Sequence, residues 1–196
     1  MRSGIGALRK DLANEAHRLA LLELVAGREG NISARFGNAM LVKATGQFLS
    51  DAKAADFIRV DLAGKESFWR RRPSIEVNMH RLIYLKRKDV NAVVHTHPPY
   101  VTAFCVAGKP IDPVTTEAQF YFPQGIPIIG RETPGTLRLA EAVSDRMKDG
   151  LKALLLSQHG LVTVGKDLRE AVELNIAAER TAQSAALSRL LGIQSG

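Results

Sequence analysis

The sequence has one cysteine, few aromatic residues and no long apolar run. Cys105 is the only cysteine among 196 residues, which excludes a disulfide framework and favours a reducing, cytoplasmic setting. Its apolar neighbours indicate a buried, inert thiol. No hydrophobic stretch approaches the roughly 20 residues of a membrane helix, and the N-terminal segment lacks the apolar core of a signal peptide. We therefore expect one domain over residues 1–196 with its own core and no membrane partner.

The charge of the chain does not favour a nucleic-acid partner. Its 27 lysines and arginines exceed the 20 acidic residues and give a net charge of +7, but the two signs are interleaved along the sequence. Only 6% of the residues are aromatic, and few of these accompany the arginines, so no stacking platform for single strands is indicated. The dense cluster Arg70–Arg72 precedes Pro73 and is expected in a loop. It is either a solvated turn or subunit contact, or it attracts an anionic substrate.

Apolar residues recur with helical and strand periodicity along the chain, without a linker or an internal repeat. Two pairs of neighbouring strands indicate hairpins, one joined through 36–38 and the other through 158–160. Ser74 is a suitable N-cap, so a helix is expected to begin there. The repeated hairpins favour an α/β fold with a mixed sheet and helices outside it. The pattern predicts helices over 8–27, 51–56, 74–85, 100–106, 136–148 and 168–191, and strands over 31–35, 39–43, 57–61, 92–97, 126–129 and on both sides of His159.

Two histidines lie at the end of a short apolar strand. The run Ala92–Val94 leads into them, and Pro98 ends the strand because proline cannot continue the ladder. Side chains two residues apart on a strand project from the same face, so the imidazoles of His95 and His97 point the same way. Such a pair needs only one or two further ligands to hold a divalent metal ion. A pair of exposed histidines at a strand end is the alternative interpretation.

A third histidine lies between two apolar strands. His159 is followed by Gly160, which permits a sharp or left-handed backbone immediately after it. The imidazole is thus expected at a strand end, where open α/β sheets commonly build their sites. With imidazole nitrogens as ligands, Zn²⁺ is the expected ion, and a catalytic zinc keeps one position free for water or substrate. Spacing alone does not establish that the three histidines meet in space.

Two carboxylates are candidates for acid–base chemistry. Glu76 falls in the first turn of the helix predicted from Ser74, where it either caps the backbone or acts as a metal ligand or general base. Glu117 stands in an otherwise apolar stretch, and a surface salt bridge would explain it equally well. His17 and His80 are interpreted as packing histidines with satisfied hydrogen bonds.

Small polar residues cluster at three turns. Gly30 and Asn31 open one predicted strand, and Thr45 and Gly46 close the next. Their backbone N–H groups and hydroxyls are of the kind that form anion sites, and Ser74 adds a hydroxyl at a helix N-terminus. Ordinary turns use the same residues for their backbone geometry. An anion site and a plain turn therefore both stay open.

Taken in order, these segments resemble the class II aldolase family, which includes fuculose-phosphate aldolases and adducin head domains. The resemblance spans about residues 8–190, nearly the whole chain. It is carried by Gly30-Asn-Ile-Ser33, Thr45-Gly46, Pro73-Ser-Ile-Glu76 with Met79-His80, Val93-Val-His-Thr-His-Pro98 and Gln158-His-Gly160.

The resemblance implies a three-layer α/β/α sandwich around a mainly antiparallel mixed sheet, and a homotetramer with sites between subunits. It implies that His95, His97 and His159 bind one Zn²⁺ per subunit, with Glu76 as an acid/base that also touches the metal. The implied reaction is reversible cleavage of a ketose 1-phosphate, such as fuculose 1-phosphate, to dihydroxyacetone phosphate and a short aldehyde such as lactaldehyde. Zinc stabilises the enediolate in such a reaction. The positions that match the family's phosphate cradle are Gly30, Asn31, Thr45, Gly46 and Ser74.

The sequence departs from the family pattern in three places. Ile75 stands where the family has a second phosphate-contacting serine, and 115–117 replaces the region of a catalytic tyrosine. A further C-terminal tyrosine of the family has no counterpart after Leu191 in this sequence. Relatives that dehydrate methylthioribulose phosphate use a glutamate near the position of Glu117, which makes Glu117 a catalytic candidate. A sugar-phosphate epimerase, dehydratase or decarboxylase, or a non-catalytic adducin-like interaction domain, are the alternatives.

Overall fold

The computed structural model describes residues 2–64, 71–148 and 150–192. The helices are α1 (Arg2–Leu21), α2 (Val77–Lys86), α3 (Pro99–Ala107), α4 (Thr116–Tyr121), α5 (Leu137–Met147) and α6 (Leu168–Leu190), with a short 3₁₀ helix at Ala54–Asp56. The strands are β1 (Asn31–Phe36), β2 (Ala39–Lys43), β3 (Phe57–Asp61), β4 (Ala92–Thr96), β5 (Ile128–Ile129), β6 (Ala153–Leu156) and β7 (Gly160–Gly165). Within these ranges no helix has both the length and the apolar character needed to cross a bilayer.

The strands form one sheet in the order β3-β2-β1-β4-β7-β6-β5. All neighbours are antiparallel except β5 and β6, which run parallel. The strand β4 lies at the centre, with Asn31 of β1 opposite His95 on one side and Leu161 of β7 opposite Thr96 on the other. The predicted mainly antiparallel mixed sheet is confirmed.

Helices cover both faces of this sheet, and its central strands are therefore buried on both sides. On one face, α2 and α5 pack through residues such as Met79 and Val143 onto strand residues that include Val93. On the other face, α1, α3 and α6 cover residues that include Val94 and Leu161. The result is the expected three-layer α/β/α arrangement, with alternate residues of β4 facing opposite helix layers.

Three helix boundaries differ from the prediction, and one of them is the start of the first helix, at Arg2 rather than at residue 8. The first helix ends at Leu21 rather than near residue 27, and Glu23 then turns the chain with a left-handed φ of 57°. The second begins at Val77 with Glu76 as its N-cap residue, so the predicted cap at Ser74 is wrong. The carbonyl of Ser74 accepts the N–H of Val77 at 3.0 Å, which makes 74–77 a turn before the helix.

Short elements account for the other differences. The strand predicted over 126–129 is reduced to Ile128–Ile129, while Ile126 forms an isolated bridge with Ile111. The helix predicted over 51–56 is a 3₁₀ helix at 54–56 only. The helix α4 is an addition to the predicted elements, and Thr115 caps it by accepting the N–H of Ala118 at 3.1 Å.

The remaining expectations concern single side chains. Of the cluster Arg70–Arg72, Arg70 lies outside the described residues, whereas Arg71 is exposed and forms an ion pair with Asp56. Cys105 is buried, as predicted, and burial raises the pKa of its thiol to about 11, which disfavours the reactive thiolate.

Candidate functional site

The alternation of β4 places two histidines on one face of the sheet. Val93 faces the α2 layer, so His95 and then His97 follow on that face at intervals of two residues. Thr96 points to the opposite layer, where its hydroxyl donates to Asn175 of α6 at 2.7 Å. This hydrogen bond links β4 to α6 on the face of the sheet opposite the two imidazoles.

His159 reaches the same point from the hairpin between β6 and β7. Its Nε2 lies 3.2 Å from Nε2 of His95, which in turn lies 3.0 Å from Nε2 of His97. Three ligands about 2.0–2.1 Å from a tetrahedral zinc ion lie about 3.3 Å apart, so these separations fit a single ion. One ring nitrogen from each histidine lies within 4.8 Å of the others, and the cluster can hold a metal ion.

Two glycines allow the neighbouring strands to approach the histidine strand closely. A Cβ on Gly160 would lie 2.4 Å from the carbonyl oxygen of Thr96 and 2.5 Å from Cδ2 of His97. A Cβ on Gly30 would lie 2.8 Å from the carbonyl oxygen of His95. The expected left-handed conformation falls on Gln158, with a φ of 55°, and not on Gly160. Close packing against β4 is therefore the reason for glycine at position 160.

Glu76 completes the cluster from the start of α2. Its Oε2 lies 3.1 Å from Nε2 of His95, and its Oε1 lies 3.5 Å from Nε2 of His159. The amide of Asn31 donates to Oε2 at 2.9 Å. Among the described residues Oε1 is buried and accepts no hydrogen bond. One carboxylate oxygen is thus left without a hydrogen bond at 3.5 Å from Nε2 of His159.

The electrostatics keep Glu76 ionised and two of the imidazoles neutral. Burial alone would raise the pKa of Glu76, but His95 and His159 beside it, with the Asn31 amide, lower that pKa below its ordinary value. Burial, together with the neighbouring histidines, lowers the pKa of His97 to about 3 and that of His159 to about 4. Neutral imidazole is the form that binds a metal ion.

Glu76 and the carbonyl of Leu161 together orient His95. Burial would lower its pKa, but Glu76 outweighs burial and raises it. Its Nδ1 donates to the carbonyl of Leu161 at 2.9 Å, which leaves Nε2 directed at the other two histidines. Such a carbonyl partner is a common way to fix the tautomer of a metal-binding histidine. Three imidazoles and a carboxylate are a donor set suited to zinc and to similar divalent ions.

The turns predicted to form an anion site meet beside Glu76. An isolated bridge between Ala44 and Pro73 brings the turn that contains Thr45 and Gly46 next to Ser74. The hydroxyl of Ser74 accepts the N–H of Glu76 at 3.3 Å. Gly30 and Asn31 flank the same region, so all five predicted residues lie around one end of the sheet. Thr45 and Gly46 are exposed, whereas the other three are buried.

Lys43 is a charged residue of this region that was not among the predicted site residues. Its buried ammonium donates to the carbonyl of Gln47 at 2.7 Å and to that of Arg28 at 3.3 Å, and so joins two of the turns. Burial lowers the pKa of Lys43 to about 8, while Glu76 acts in the opposite direction. A lysine that ends the apolar strand Ala39–Lys43 was the available signal.

Glu117 does not lie in the histidine cluster. It stands in the first turn of α4 and lines a cavity of about 470 Å³ together with Arg18, Tyr121 and Arg180. None of the three histidines, nor Glu76, lines this cavity. Within one copy of the chain, the structure does not bring Glu117 to the histidine cluster.

The two histidines interpreted as packing residues have hydrogen-bond partners, as predicted. Nε2 of His17 donates to the carbonyl of Ala52 at 2.9 Å. His80 is fully buried and contacts Asn31 and Ser33 through its two ring nitrogens.

Known proteins are similar to this chain in both sequence and fold. It is 38% identical over 167 residues to an L-fuculose phosphate aldolase of Methanococcus maripaludis, a match that covers 85% of this chain and 89% of that protein. It is 34% identical over 179 residues to a 5-methylthioribulose-1-phosphate/5-deoxyribulose-1-phosphate aldolase of Rhodospirillum rubrum, covering 90% of this chain and 79% of that protein.

A solved structure gives the same result. The L-fuculose-1-phosphate aldolase of Thermus thermophilus superposes with a TM-score of 0.86 at 25% identity, covering 96% of this chain and 98% of that one. The model of the class II aldolase and adducin N-terminal domain family matches residues 10–186. The chain belongs to this family.

Proposed function

We propose that His95, His97, His159 and Glu76 bind one divalent metal ion, Zn²⁺ by the chemistry of the donors. The observation that carries the proposal is the meeting of three Nε2 atoms, two of them 3.0 and 3.2 Å from that of His95, beside a buried carboxylate. When Glu76 moves a proton instead of contacting the ion, the three protein nitrogens leave one tetrahedral position for substrate, as in other catalytic zinc sites. A non-catalytic interaction domain has no need for this donor set.

We further propose that the bound ion serves an aldolase reaction on a ketose 1-phosphate. The products would be dihydroxyacetone phosphate and a short aldehyde such as lactaldehyde. When bound, a divalent ion supplies Lewis-acid stabilisation of the negative charge that develops on oxygen as the carbon–carbon bond breaks. Glu76 adds or removes the proton at the nucleophilic carbon of the three-carbon fragment, because its Oε1 is ionised, buried and free of hydrogen bonds among the described residues.

The phosphate of the substrate is proposed to bind at the turns around Gly30, Asn31, Thr45, Gly46 and Ser74. Thr45 and Gly46 are exposed, so the Thr45 hydroxyl and the Gly46 backbone are open to a ligand, whereas the N–H of Thr45 donates to the carbonyl of Arg72 at 3.0 Å. Ile75 is 64% exposed between Ser74 and Glu76 and offers an apolar surface instead of a hydroxyl. The named activities of both relatives concern sugar phosphates, either fuculose or 5-modified ribulose. Fuculose 1-phosphate is the first substrate to test.

Glu117 has a catalytic role in this proposal only through a second copy of the chain. It lines a cavity apart from the histidines, so it would have to contact the site of a neighbouring subunit. We therefore propose a homo-oligomer, a tetramer by family resemblance, with active sites between subunits.

Product analysis tests the reaction. Zinc-loaded protein is incubated with dihydroxyacetone phosphate plus lactaldehyde and, separately, with ribulose phosphates, and the products are identified by mass spectrometry and NMR. Carbon–carbon bond formation is expected in the first mixture. An epimerised, dehydrated or decarboxylated product without bond formation would instead assign the corresponding alternative activity.

The role of Glu76 is tested by Glu76→Gln. This variant should retain stoichiometric zinc, because three histidines remain, and should lose about 10²- to 10⁴-fold in turnover with the proton-transfer group removed. Asp145→Asn is the control, since Asp145 is exposed and forms an ion pair with Lys86 at the end of α2 far from Glu76. Equal rates in Glu76→Gln and the wild type would exclude Glu76 from proton transfer.

A further inference from the structure

A buried chain of hydrogen bonds leads from α2 through β1 to Glu76. Glu76, His80 and Tyr84 follow one another at intervals of four residues and so share one face of α2 and its cap. Asn31 and Ser33, two residues apart, share one face of β1. The two rows interleave, because side chains from the helix and the strand alternate along the hydrogen-bonded chain.

The contacts of this hydrogen-bond chain are continuous. The hydroxyl of Tyr84 lies 2.8 Å from that of Ser33, which lies 2.7 Å from Nδ1 of His80. Nε2 of His80 contacts Oδ1 of Asn31, and Nδ2 of Asn31 donates to Oε2 of Glu76 at 2.9 Å. All five side chains are buried, so the whole series of contacts lies in the protein interior.

The direction of every hydrogen bond follows from the ionised carboxylate at its end. A carboxylate only accepts, so Asn31 must present its NH₂ group to Glu76 and its carbonyl oxygen to His80. That oxygen also only accepts, so Nε2 of His80 must carry a proton. Burial, assisted by His95 and opposed by Glu76, lowers the pKa of His80 to about 3, so the ring is neutral and its Nδ1 accepts from Ser33.

Without the imidazole of His80, the carbonyl oxygen of the Asn31 amide would lose its donor among the described contacts, and only the carboxylate of Glu76 would hold the amide. The two ends of an amide have nearly the same shape, and the carbonyl end would repel the carboxylate of Glu76. The carboxylate thus selects the NH₂ end, and a donor on the other side holds the carbonyl and fixes the amide in place. His80 is that donor in this structure.

We propose that His80 is a positioning residue that orients the Asn31 amide and thereby fixes Glu76 beside the three metal-binding histidines. The inference rests on the proposed metal site, and it adds a role to a residue that packing alone would explain. A histidine whose only role was packing would influence the stability of the fold but not the metal affinity of the folded protein.

Titration with Co²⁺ in the absence of substrate tests the inference directly. Wild-type protein should bind one Co²⁺ per chain. His80→Leu should weaken that binding by about 10- to 100-fold, the usual effect of losing a partner that orients a ligand, and should change the visible absorption of the bound ion. His80→Gln should remain within about 3-fold of the wild type, because the glutamine NH₂ can replace the Nε2 donor. His17→Leu, which also removes a hydrogen-bonded histidine, should not change the affinity.

A double-mutant cycle separates positioning from a general structural effect. Because His80 acts through Asn31, adding His80→Leu to Asn31→Ala should cause no further loss of Co²⁺ affinity. Additive losses would overturn the inference, as would unchanged Co²⁺ binding in folded His80→Leu. A wild-type protein that binds no Co²⁺ would overturn the proposed metal site itself, and the inference with it.

A milder variant keeps the inference testable if His80→Leu does not fold. Ser33→Ala removes the donor that fixes the tautomer of His80, so Co²⁺ affinity should fall, though less than for loss of the imidazole. Ser144→Ala is its matched control, because Ser144 is an equally buried serine of α5 whose hydroxyl donates to the carbonyl of Glu141. Equal affinities in these two variants would contradict the positioning role.

Discussion

Replacing Gly160 with alanine should disturb the histidine cluster more than its single methyl group suggests. The new Cβ would lie 2.4 Å from the carbonyl oxygen of Thr96, whereas ordinary contact begins at 3.4 Å. The obstacle is a backbone oxygen of the central strand, which cannot rotate away. To relieve the contact, β7 and β4 must separate locally by about 1 Å, against a usual strand spacing of about 4.8 Å.

The expected magnitude follows from this overlap. Overpacking of this kind destabilises proteins by about 1–3 kcal/mol, which urea denaturation measures through the free energy of unfolding. The same methyl group would approach Cδ2 of His97 to 2.5 Å, so the imidazole must also move. Metal sites tolerate ligand displacements of only about 0.2 Å, so we expect zinc affinity to fall at least about 10-fold.

A second glycine provides the matched control. A Cβ added to Gly130 would meet no atom within 4 Å, and the residue has no left-handed φ. Gly130→Ala should therefore alter stability by less than about 1 kcal/mol and leave zinc affinity unchanged. If Gly160→Ala matched Gly130→Ala in both measurements, the close approach of β7 to the histidine strand would be refuted as a requirement of the site.

Two further predictions concern buried ionisable groups. Lys43→Met should lower the free energy of unfolding by about 1–3 kcal/mol in urea denaturation, because two carbonyl groups lose a charged donor. Lys152→Met is the control: it breaks a surface ion pair and should change the free energy of unfolding by less than about 1 kcal/mol. The folded pKa of His80, about 3, lies below the unfolded value of 6.5, so between these values the unfolded state binds the extra proton and stability rises with pH. Urea denaturation is therefore measured between about pH 4.5 and 6.5. On acidification, the free energy of unfolding of the wild type should fall by up to about 1.4 kcal/mol per pH unit more than that of His80→Gln. Equal slopes of the free energy of unfolding against pH in the two proteins would contradict the neutral state of His80.

The parts of the molecule that can be predicted from the sequence are those governed by local periodicity. The β-branched run before His95 and the proline after His97 are sufficient to predict β4 and the common direction of the two imidazoles. Hairpins around 36–38 and 158–160 predict the antiparallel pairs, and these are present. The family motifs then link His159 to the other two histidines, which spacing along the chain does not establish.

The parts that cannot be predicted depend on contacts between distant segments. The sequence indicates a sharp or left-handed turn at Gly160, but the need for glycine there comes from Thr96 on a neighbouring strand. The orientation of Asn31 depends on His80, which is 49 residues away in sequence. The role of Lys43 is hidden in the sequence because only the folded chain brings the carbonyls of Arg28 and Gln47 to its ammonium.

X-ray absorption at the zinc edge of zinc-loaded protein measures the central feature of the proposed site most directly. The expected first shell contains three imidazole nitrogens at about 2.0–2.1 Å with oxygen ligands and no sulfur, and His159→Ala should reduce the imidazole count to two. Failure to retain stoichiometric zinc, or an imidazole count that does not change in His159→Ala, would contradict a metal site built from these three histidines.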